Sequence, residues 1–487
     1  MARGVMGAAA GSAAAGVGGR MQPQDLVPAL AVLAILTREL LWLAAAAILV
    51  SGIDDLAMDA LWLAGVAGRR QAVPPPPARP MRLAILVPAW DESAVIAAML
   101  RRLLDTQAHP DFTIFVGTYP NDPATAAAVR SVADPRVRLA VGARPGPTTK
   151  ADCLNGLWQA LLAAEAEAGS GERFDALLLH DAEDVVHPHA LDLIERHLAA
   201  GAAMVQLPVL PLPDPHSRWV AGHYLDEFAE THARDMMVRG RLGAPLPSAG
   251  VGTAIGRDWL ERLAGAGAMP FDSQSLTEDY ELGHRLHALG GKSVMVRARV
   301  DGELVATRAF FPATLEAAVR QKARWLTGIA LDGWDRLGWP GDWRARWMLI
   351  RDRKGLLTSG VAMIAYATAL LVVGQLAVRA MLARQAGVDL PPLLGPDARW
   401  LAILLGVNAG LLGWRLLMRA AFTGWHHGPA EALRAIPRAV LANAINFLAA
   451  RRALERYRAL VERGTPPAWD KTAHRFPEGA AGVPANG

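Results

Sequence analysis

Between Met81 and Asp184, short apolar runs alternate with longer mixed segments. Leu83–Pro88, Phe112–Val116, Val137–Val141 and Leu177–Leu179 read as strands, the first and last apolar enough to be buried on both faces. Helices are expected after Glu92 to about Leu104, from Ala124 to Val132, and from Lys150 to about Ala168. Such alternation predicts an α/β domain with a mostly parallel sheet and right-handed crossovers, here over residues 81–345. Gly-x-Gly-x-x-Gly does not follow the first strand, so a dinucleotide-binding fold of the usual kind is unsupported.

Outside that domain the apolar runs are much longer. Residues 26–53, 356–378 and 400–418 approach or exceed the roughly twenty residues that a helix needs to cross a bilayer. Arg38 and Glu39 interrupt the first, leaving a broken or tilted helix open. Asp54, Asp55 and Asp59 read as its exit, and residues 54–80 as a juxtamembrane segment ending in a stiff linker at Pro74–Pro77. Arg69, Arg70, Arg79 and Arg82 follow the first span. Arg415, Arg419, Arg434, Arg438, Arg451, Arg452 and Arg456 attend the third, and this arginine excess assigns both flanks to the cytoplasm. Val440–Ala450 is too short to cross, so residues 430–460 read as an interfacial amphipathic helix, with a cytoplasmic tail at 461–487. Residues 1–25 are Ala/Gly-rich without periodicity and read as disordered; they lack the pattern of a secretory signal, and Met21 is an alternative start.

Composition sharpens this picture. The 487 residues are 52% apolar with a formal charge of only +4, which argues for a membrane and against a nucleic-acid partner. The one cysteine, Cys153, excludes an internal disulfide and a thiolate metal cage, and its apolar neighbour marks it as buried.

The chemistry gathers after the fourth strand, where Leu177-Leu178-Leu179-His180 runs into Asp181-Ala182-Glu183-Asp184. Carboxylates there cannot pack against apolar neighbours and must face water, a cation or a ligand. Open α/β sheets bind ligands at the carboxyl ends of their strands. Asp181 and Glu183 fall on one side of an extended stretch, and such a pair can hold a hard cation such as Mg²⁺, with a substrate diphosphate completing the shell. The alternative is that Asp184 caps a helix starting near Pro188. Pro247–Thr253 is a small-residue turn that permits close approach of backbone to a ligand. Thr277-Glu278-Asp279-Tyr280-Glu281 opens a helix, and an N-cap at Thr277 with acids on the helix dipole accounts for it without function. Gln321-Lys322-Ala323-Arg324-Trp325 lies on an amphipathic helix, where Arg and Trp also suit a membrane interface. The histidines, His180 and His187 among them, read as neutral and structural.

Taken in order, Val87-Pro88-Ala89-Trp90-Asp91-Glu92, Lys150-Ala151-Asp152-Cys153-Leu154-Asn155, Asp181-Ala182-Glu183-Asp184, Thr277-Glu278-Asp279 and Gln321-Lys322-Ala323-Arg324-Trp325 resemble the family 2 glycosyltransferases of the GT-A fold, over about Arg79 to Asp335. The last motif is shared with processive cellulose and hyaluronan synthases. Phe115–Asp122, Trp219–Glu230 and the tail Ala468-Trp469-Asp470-Lys471-Thr472 are similar to the bacteriophage adsorption protein B group.

The resemblance implies a nucleotide-diphospho-sugar transferase domain with a Rossmann-like sheet, set between transmembrane helices of a bacterial inner membrane and facing the cytoplasm. It implies inverting, metal-dependent transfer of a sugar from a nucleotide-diphosphate sugar, a UDP-sugar first, to a growing glycan or lipid-linked acceptor. The product would be an exopolysaccharide, with an outer-membrane export partner. On this resemblance Asp181 and Glu183 hold Mg²⁺ or Mn²⁺, and Asp91, Glu92, Lys150 and Asp181 bind the donor nucleotide. Asp279 is the base with Glu278 beside it, and Gln321, Arg324 and Trp325 serve acceptor and phosphate. Glu278 and Glu281 are expected to raise the pKa of Asp279 by like-charge repulsion.

Two departures stand out. Gly117-Thr118-Tyr119-Pro120 occupies the place where many members carry paired aspartates that touch the nucleoside, and Glu183 replaces the second aspartate of Asp-x-Asp. Members of the adsorption group can carry a further C-terminal domain of the cyclic-di-GMP-binding type, for which the sequence after Pro477 leaves no room. A non-processive transferase acting on polyprenyl phosphate and an inactive membrane scaffold for a polysaccharide exporter stay open as alternatives.

Overall fold

A computed structural model describes residues 26–65, 71–169, 172–265, 269–387, 390, 392–395, 398–464 and 474–477. The expected disorder of residues 1–25, the pair Arg69 and Arg70, and the tail motif 468–472 lie outside the described residues. The strands are β1 (Leu83–Pro88), β2 (Phe112–Thr118), β3 (Val137–Val141), β4 (Ala176–Leu179), β5 (Val185–Val186), β6 (Met204–Gln206), β7 (Val209–Pro211), β8 (Thr253–Gly256), β9 (Ser293–Met295), β10 (Arg299–Val300), β11 (Glu303–Leu304) and β12 (Thr307–Ala309). The first helices are α1 (Val27–Gly65), α2 (Ile96–Thr106), α3 (Pro123–Arg130), α4 (Lys150–Ala168), α5 (Ala190–Ala199), α6 (Gly222–Glu230), α7 (Met236–Leu242), α8 (Arg257–Ala264) and α9 (Glu278–Ala288). They are followed by α10 (Leu315–Leu326), α11 (Asp332–Leu337), α12 (Trp343–Arg353), α13 (Gly355–Ala386), α14 (Ala398–His427) and α15 (Pro429–Arg463).

The main sheet runs β3-β2-β1-β4-β8-β6-β9. β1 is parallel to β2 and β4, while β8 enters antiparallel between β4 and β6. The chain moves outward from β1 to β3 and then returns to the other side of β1 with β4, which opens a crevice at the strand ends between them. The residues of β1 alternate between two cores. Leu83, Ile85 and Val87 pack with Met99 of α2 and Ile194 of α5, while Ala84 and Leu86 pack with Leu154 of α4 and Leu282 of α9. Helices thus cover both faces, which is why β1 and β4 are continuously apolar.

The chain forms two compact units, Met1–Ala47 with Ile364–Val407, and Ile48–Met363 with Asn408–Gly487. In the first, Gln375 Nε2 donates to Thr37 Oγ1 at 2.6 Å. Arg38 pairs with Glu39 at 3.0 Å. This mutual neutralisation lets both charges stand inside an apolar helix without breaking it.

The second unit holds the sheet and the end of α1. Asp54, Asp55 and Asp59 do not end the helix: α1 continues through them to Gly65. Each acid is answered by another element: Asp54 by Trp347 at 2.7 Å and Lys354 at 2.5 Å, Asp55 by Arg351 at 3.1 Å, and Asp59 by Arg234 at 2.6 Å and Trp414 at 2.8 Å. Paired acids need no solvent, so the helix has no reason to stop there. The helices α1, α13 and α14 are long and apolar enough to cross a membrane. α15 is a single helix through Pro437, with one face buried along Ala435, Arg438, Ala442, Ile445 and Ala449.

Leu86 is fully buried on β1. Leu86→Ala is expected to destabilise the protein by about 2–5 kcal/mol, read as a lower thermal midpoint in detergent. Val461→Ala, at an exposed position of α15, should leave the midpoint nearly unchanged.

Candidate active site

The crevice is built from strand ends and helix starts. Beyond β4 the chain does not stay extended, as the Asp181/Glu183 spacing suggested, but closes a turn in which Asp184 N–H donates to Asp181 O at 3.2 Å. Asp184 Oδ2 accepts from Asp181 N–H at 3.0 Å and lies 2.9 Å from His180 Nδ1. Asp184 therefore ties this turn, and it is not the cap of the next helix, which begins at Ala190 behind His189. The turn sends the two neighbouring carboxylates to different partners. Asp181 reaches Lys150 Nζ at 2.5 Å, at the first residue of α4. Glu183 lies 3.3 Å from His474 Nδ1, and Glu92 lies 2.8 Å from the same nitrogen.

A cavity of about 120 Å³ brings together Lys150, Asp181, Glu183, Glu278, Asp279, Gln321, Arg324, Trp325 and His474. Asp91 and Glu92 are not among its lining residues. Asp91 is exposed with φ +55°, and its N–H donates to Asp122 Oδ2 at 2.6 Å. Glu92 is buried and turned to His474. A larger cavity of about 700 Å³ is lined by Gly117, Thr118 and Tyr119, by Gly142–Arg144 and by Asp152 and Cys153. Cys153 is buried there, and burial pushes its thiol up to about 12.

Asp279 sits in the first turn of α9, its Oδ1 accepting from Tyr280 N–H at 2.8 Å. The small-residue turn before β8 presses on it. Gly250 has φ +74°, and a Cβ there would stand 2.5 Å from Asp279 Oδ2. Only glycine meets both requirements. Thr277 occupies the N-cap position, but its hydroxyl makes no capping bond, and no partner for it exists among the described residues. Glu281 does not face Asp279 as expected. It accepts from Ser275 Oγ at 2.8 Å and Arg336 Nε at 2.7 Å, so its charge is spent elsewhere.

The electrostatics follow from burying several carboxylates together. Burial raises Asp279, opposed by Lys150 and Arg324. Burial and then the Asp279 charge push Glu278 up to about 7. Burial works against the Lys150 ammonium, but Asp181, Glu278 and Asp279 outweigh it and hold the lysine above its ordinary range. Burial raises Glu183, opposed by His474, and the histidine is in turn raised by Glu183 and Glu92 against its own burial.

A sequence profile described as "Glycosyltransferase like family 2" matches residues 80–328. The chain belongs to this family. The matched stretch runs from just before β1 to just past α10 and carries every lining residue of the smaller cavity except His474. Two curated relatives, bacteriophage adsorption protein B of Escherichia coli strain K12 and bacteriophage N4 adsorption protein B of Escherichia coli O157:H7, are each 36% identical over 470 residues, which is 88% of this chain. The chain spans about 60% of the length of either. Among solved structures, the mannosyltransferase PcManGT from Pyrobaculum calidifontis, in complex with GDP-Man and Mn²⁺, is 17% identical with a TM-score of 0.50, covering 83% of this chain and 99% of that one. This likeness shows a GT-A fold.

Three features of the site and its surroundings escaped the sequence reading. His474 was passed over with the structural histidines, and its local sequence carries no signal that it folds back to Glu92 and Glu183. Phe228, Phe310 and Phe311 line the cavity beside Trp325, yet with no motif around them they look like core. The segment Tyr119–Asp122, in place of paired aspartates, knots the end of β2 to the turn after β1 and to the loop before α4. Tyr119 meets Trp90 edge to face at 5.3 Å. Asn121 exchanges two hydrogen bonds with the backbone of Gly146, at 2.8 and 2.7 Å. Asp122 caps α3 while holding Asp91 N–H.

Glu278 gives a test of this electrostatics. Its carboxyl keeps its proton to about 7 when folded, against 4.5 ordinarily, so the folded state binds more protons between those values. Its contribution is therefore favourable at low pH and is lost as pH rises from 4.5 through 7. The thermal midpoint of the wild type should fall over that window more steeply than that of Glu278→Gln, as followed by thermal scans at several pH values.

Proposed function

We propose that this chain is a multi-pass inner-membrane glycosyltransferase that moves a sugar, with inversion, from a nucleotide-diphosphate sugar to a growing glycan or lipid-linked acceptor. Its family 2 domain works in the cytoplasm, where such donors are made, and its product is an exopolysaccharide passed to an outer-membrane partner. The observation that carries this reading is the meeting of Lys150 and Asp181 from one side with Asp279, Arg324 and Trp325 from the other across a single small cavity.

The donor diphosphate lies against Lys150 and Arg324, whose cations offset the charge that grows on the leaving group; a guanidinium does so through a forked contact. The larger cavity opening at Gly117-Thr118-Tyr119 has room for the nucleoside, of which uridine is the first candidate. Asp279 takes the proton of the acceptor hydroxyl, and burial suits it to that role by raising its carboxyl toward neutrality. Trp325, half-buried beside Phe228 at 6.2 Å, turns a flat apolar face to the acceptor sugar.

Mg²⁺ or Mn²⁺ fits the carboxylates present. Glu92, Glu183 and His474 offer ligand atoms that all lie within 4.8 Å of one another, and Asp181 and Glu183 line the cavity together. Asp181 and Glu183 would hold the ion with His474 beside them, and when bound it supplies Lewis-acid neutralisation of the diphosphate.

Asp279→Asn keeps the volume and the helix start while removing the base. Transfer from a panel of nucleotide sugars, with UDP-sugars first, should fall about 10²-fold or more, while donor affinity on the same preparation stays near wild type. Unchanged transfer would remove Asp279 from the chemistry. Three crossings with an arginine-rich flank also set the orientation, so a reporter fused after Gly464 should read as cytoplasmic; a periplasmic signal would mean that α15 or its flanks cross as well.

A further inference from the structure

The tail beyond α15 meets the family 2 domain at residues 474–477, where three consecutive side chains grip three different parts of it. His474 Nδ1 stands between two buried carboxylates, 2.8 Å from Glu92 in the turn after β1 and 3.3 Å from Glu183 in the turn after β4. Arg475 pairs with Asp214 and lies over Phe310, its guanidinium carbon 5.0 Å from the ring centre. Phe476 packs against the core formed on the Leu83, Ile85 and Val87 side of β1.

A peptide resting on a surface does not make contacts of this kind. Arg475 is itself more than half exposed, yet the Asp214 side chain that it answers is closed off from solvent. The other carboxylate oxygen of Asp214 accepts from His216 N–H at 2.9 Å. Buried carboxylates need partners, and removing a partner strands the charge; the tail answers three of them. Asp214 also leads to the opposite wall of the smaller cavity. Ser217, three residues on, donates to Ala313 O at 2.7 Å, in the connection from β12 to α10 that holds the lining residues Phe310, Phe311 and Pro312. The tail therefore touches the carboxylate side of that cavity through His474 and the aromatic side through Arg475, while Phe476 fastens it to the core.

We propose that residues 474–477 form a brace across the smaller cavity, in which Arg475 and Phe476 are positioning residues that hold His474 against Glu92 and Glu183 and steady the Phe310 wall. The brace rests on the proposed function only in taking Glu183 for a carboxylate of the cation site. A carboxylate that holds a metal is oriented by the groups around it, and losing such a group lowers metal affinity about 10- to 100-fold. The stretch Ala468–Thr472, similar to the adsorption group, runs almost directly into this brace in sequence.

The test frees the brace after the protein has folded. A protease site inserted after Gly464 in the full chain, purified in detergent, lets the tail be cut away, its loss confirmed by mass. Hydrogen–deuterium exchange should then rise several-fold in the peptides that contain Glu183 and Phe310. It should stay unchanged in α8, which packs on the other face of the sheet through Leu260. A synthetic peptide of residues 465–487 should restore the protection. In the uncut chain, Mn²⁺ affinity followed by electron paramagnetic resonance should fall about tenfold or more for Arg475→Gln and for Phe476→Ala. Arg475→Lys, which keeps the charge, should recover most of that loss. Exchange unaltered by removal of the tail would overturn the proposal, because the segment would then only lie on the domain. So would a Mn²⁺ affinity that rises on removal, which would make the segment a cover over the site. The exchange measurement uses neither metal nor sugar. A wild-type chain that takes up no Mn²⁺ would therefore sink the cation assignment, while exchange still decides for or against the brace.

Discussion

The candidate crevice depends on one arrangement, a half-buried ammonium among carboxylates that do not belong together without it. Lys150 lies 2.5 Å from Asp181 and feels Glu278 and Asp279 as well. Those acids arrive from separate places, the turn after β4 and the start of α9, and each would be costly to bury ionised and alone. A cation at the first turn of α4 makes their approach tolerable, and Arg324 of α10 adds a second charge from the opposite wall. The domain's topology serves this meeting. The reversal of strand order between β1 and β4 opens the crevice, and the starts of α4 and α9 turn their positive ends toward it.

The same logic recurs in the helices of the second unit. Asp54, Asp55 and Asp59 on α1 meet Arg351, Lys354 and Arg234. Asp226 on α6 meets Arg438 of α15 at 2.7 Å, both side chains fully buried. Such pairs add little net stability over apolar packing, yet removing one partner is costly because the other charge is stranded. Their effect is to fix which helices are neighbours and in what register. That specificity carries α10 and its motif to a set position over the crevice.

Much of the domain was legible in the sequence because its signals are local. Continuous apolar runs bounded by turns gave β1 to β4, and α4 opens at Lys150 as its spacing indicated. The motif residues Lys150, Asp181, Glu183, Asp279, Arg324 and Trp325 do converge on one cavity. Three things were not legible, each for a non-local reason. The acids of α1 read as solvent-facing until their partners, about 175 to 355 residues away, are known. Glu281 looks like a neighbour of Asp279 until Arg336 turns it aside. His474 resembles any tail histidine until the chain folds back to set it between Glu92 and Glu183. Sequence spacing reports what a residue's own element does with it, and these three are governed by other elements.

The segment that replaces the paired aspartates makes the same point from the other direction. Gly117-Thr118-Tyr119-Pro120-Asn121-Asp122 supplies no free carboxylate pair at the end of β2, because Asp122 already caps α3 and holds Asp91 N–H. What it supplies is fixation. Asp91 is kept at φ +55°, a conformation costly for a residue other than glycine and sustained here by the bond to Asp122. Asn121 fastens Gly146, in the loop that leads to Lys150, and Gly146 must be glycine because a Cβ would strike the Tyr119 ring at 2.6 Å. Tyr119 in turn braces Trp90. The end of β2 therefore acts through its neighbours, by setting where Trp90, Asp91 and the approach to Lys150 stand. Where many members of the family carry paired aspartates, this chain carries a frame tied by side-chain contacts.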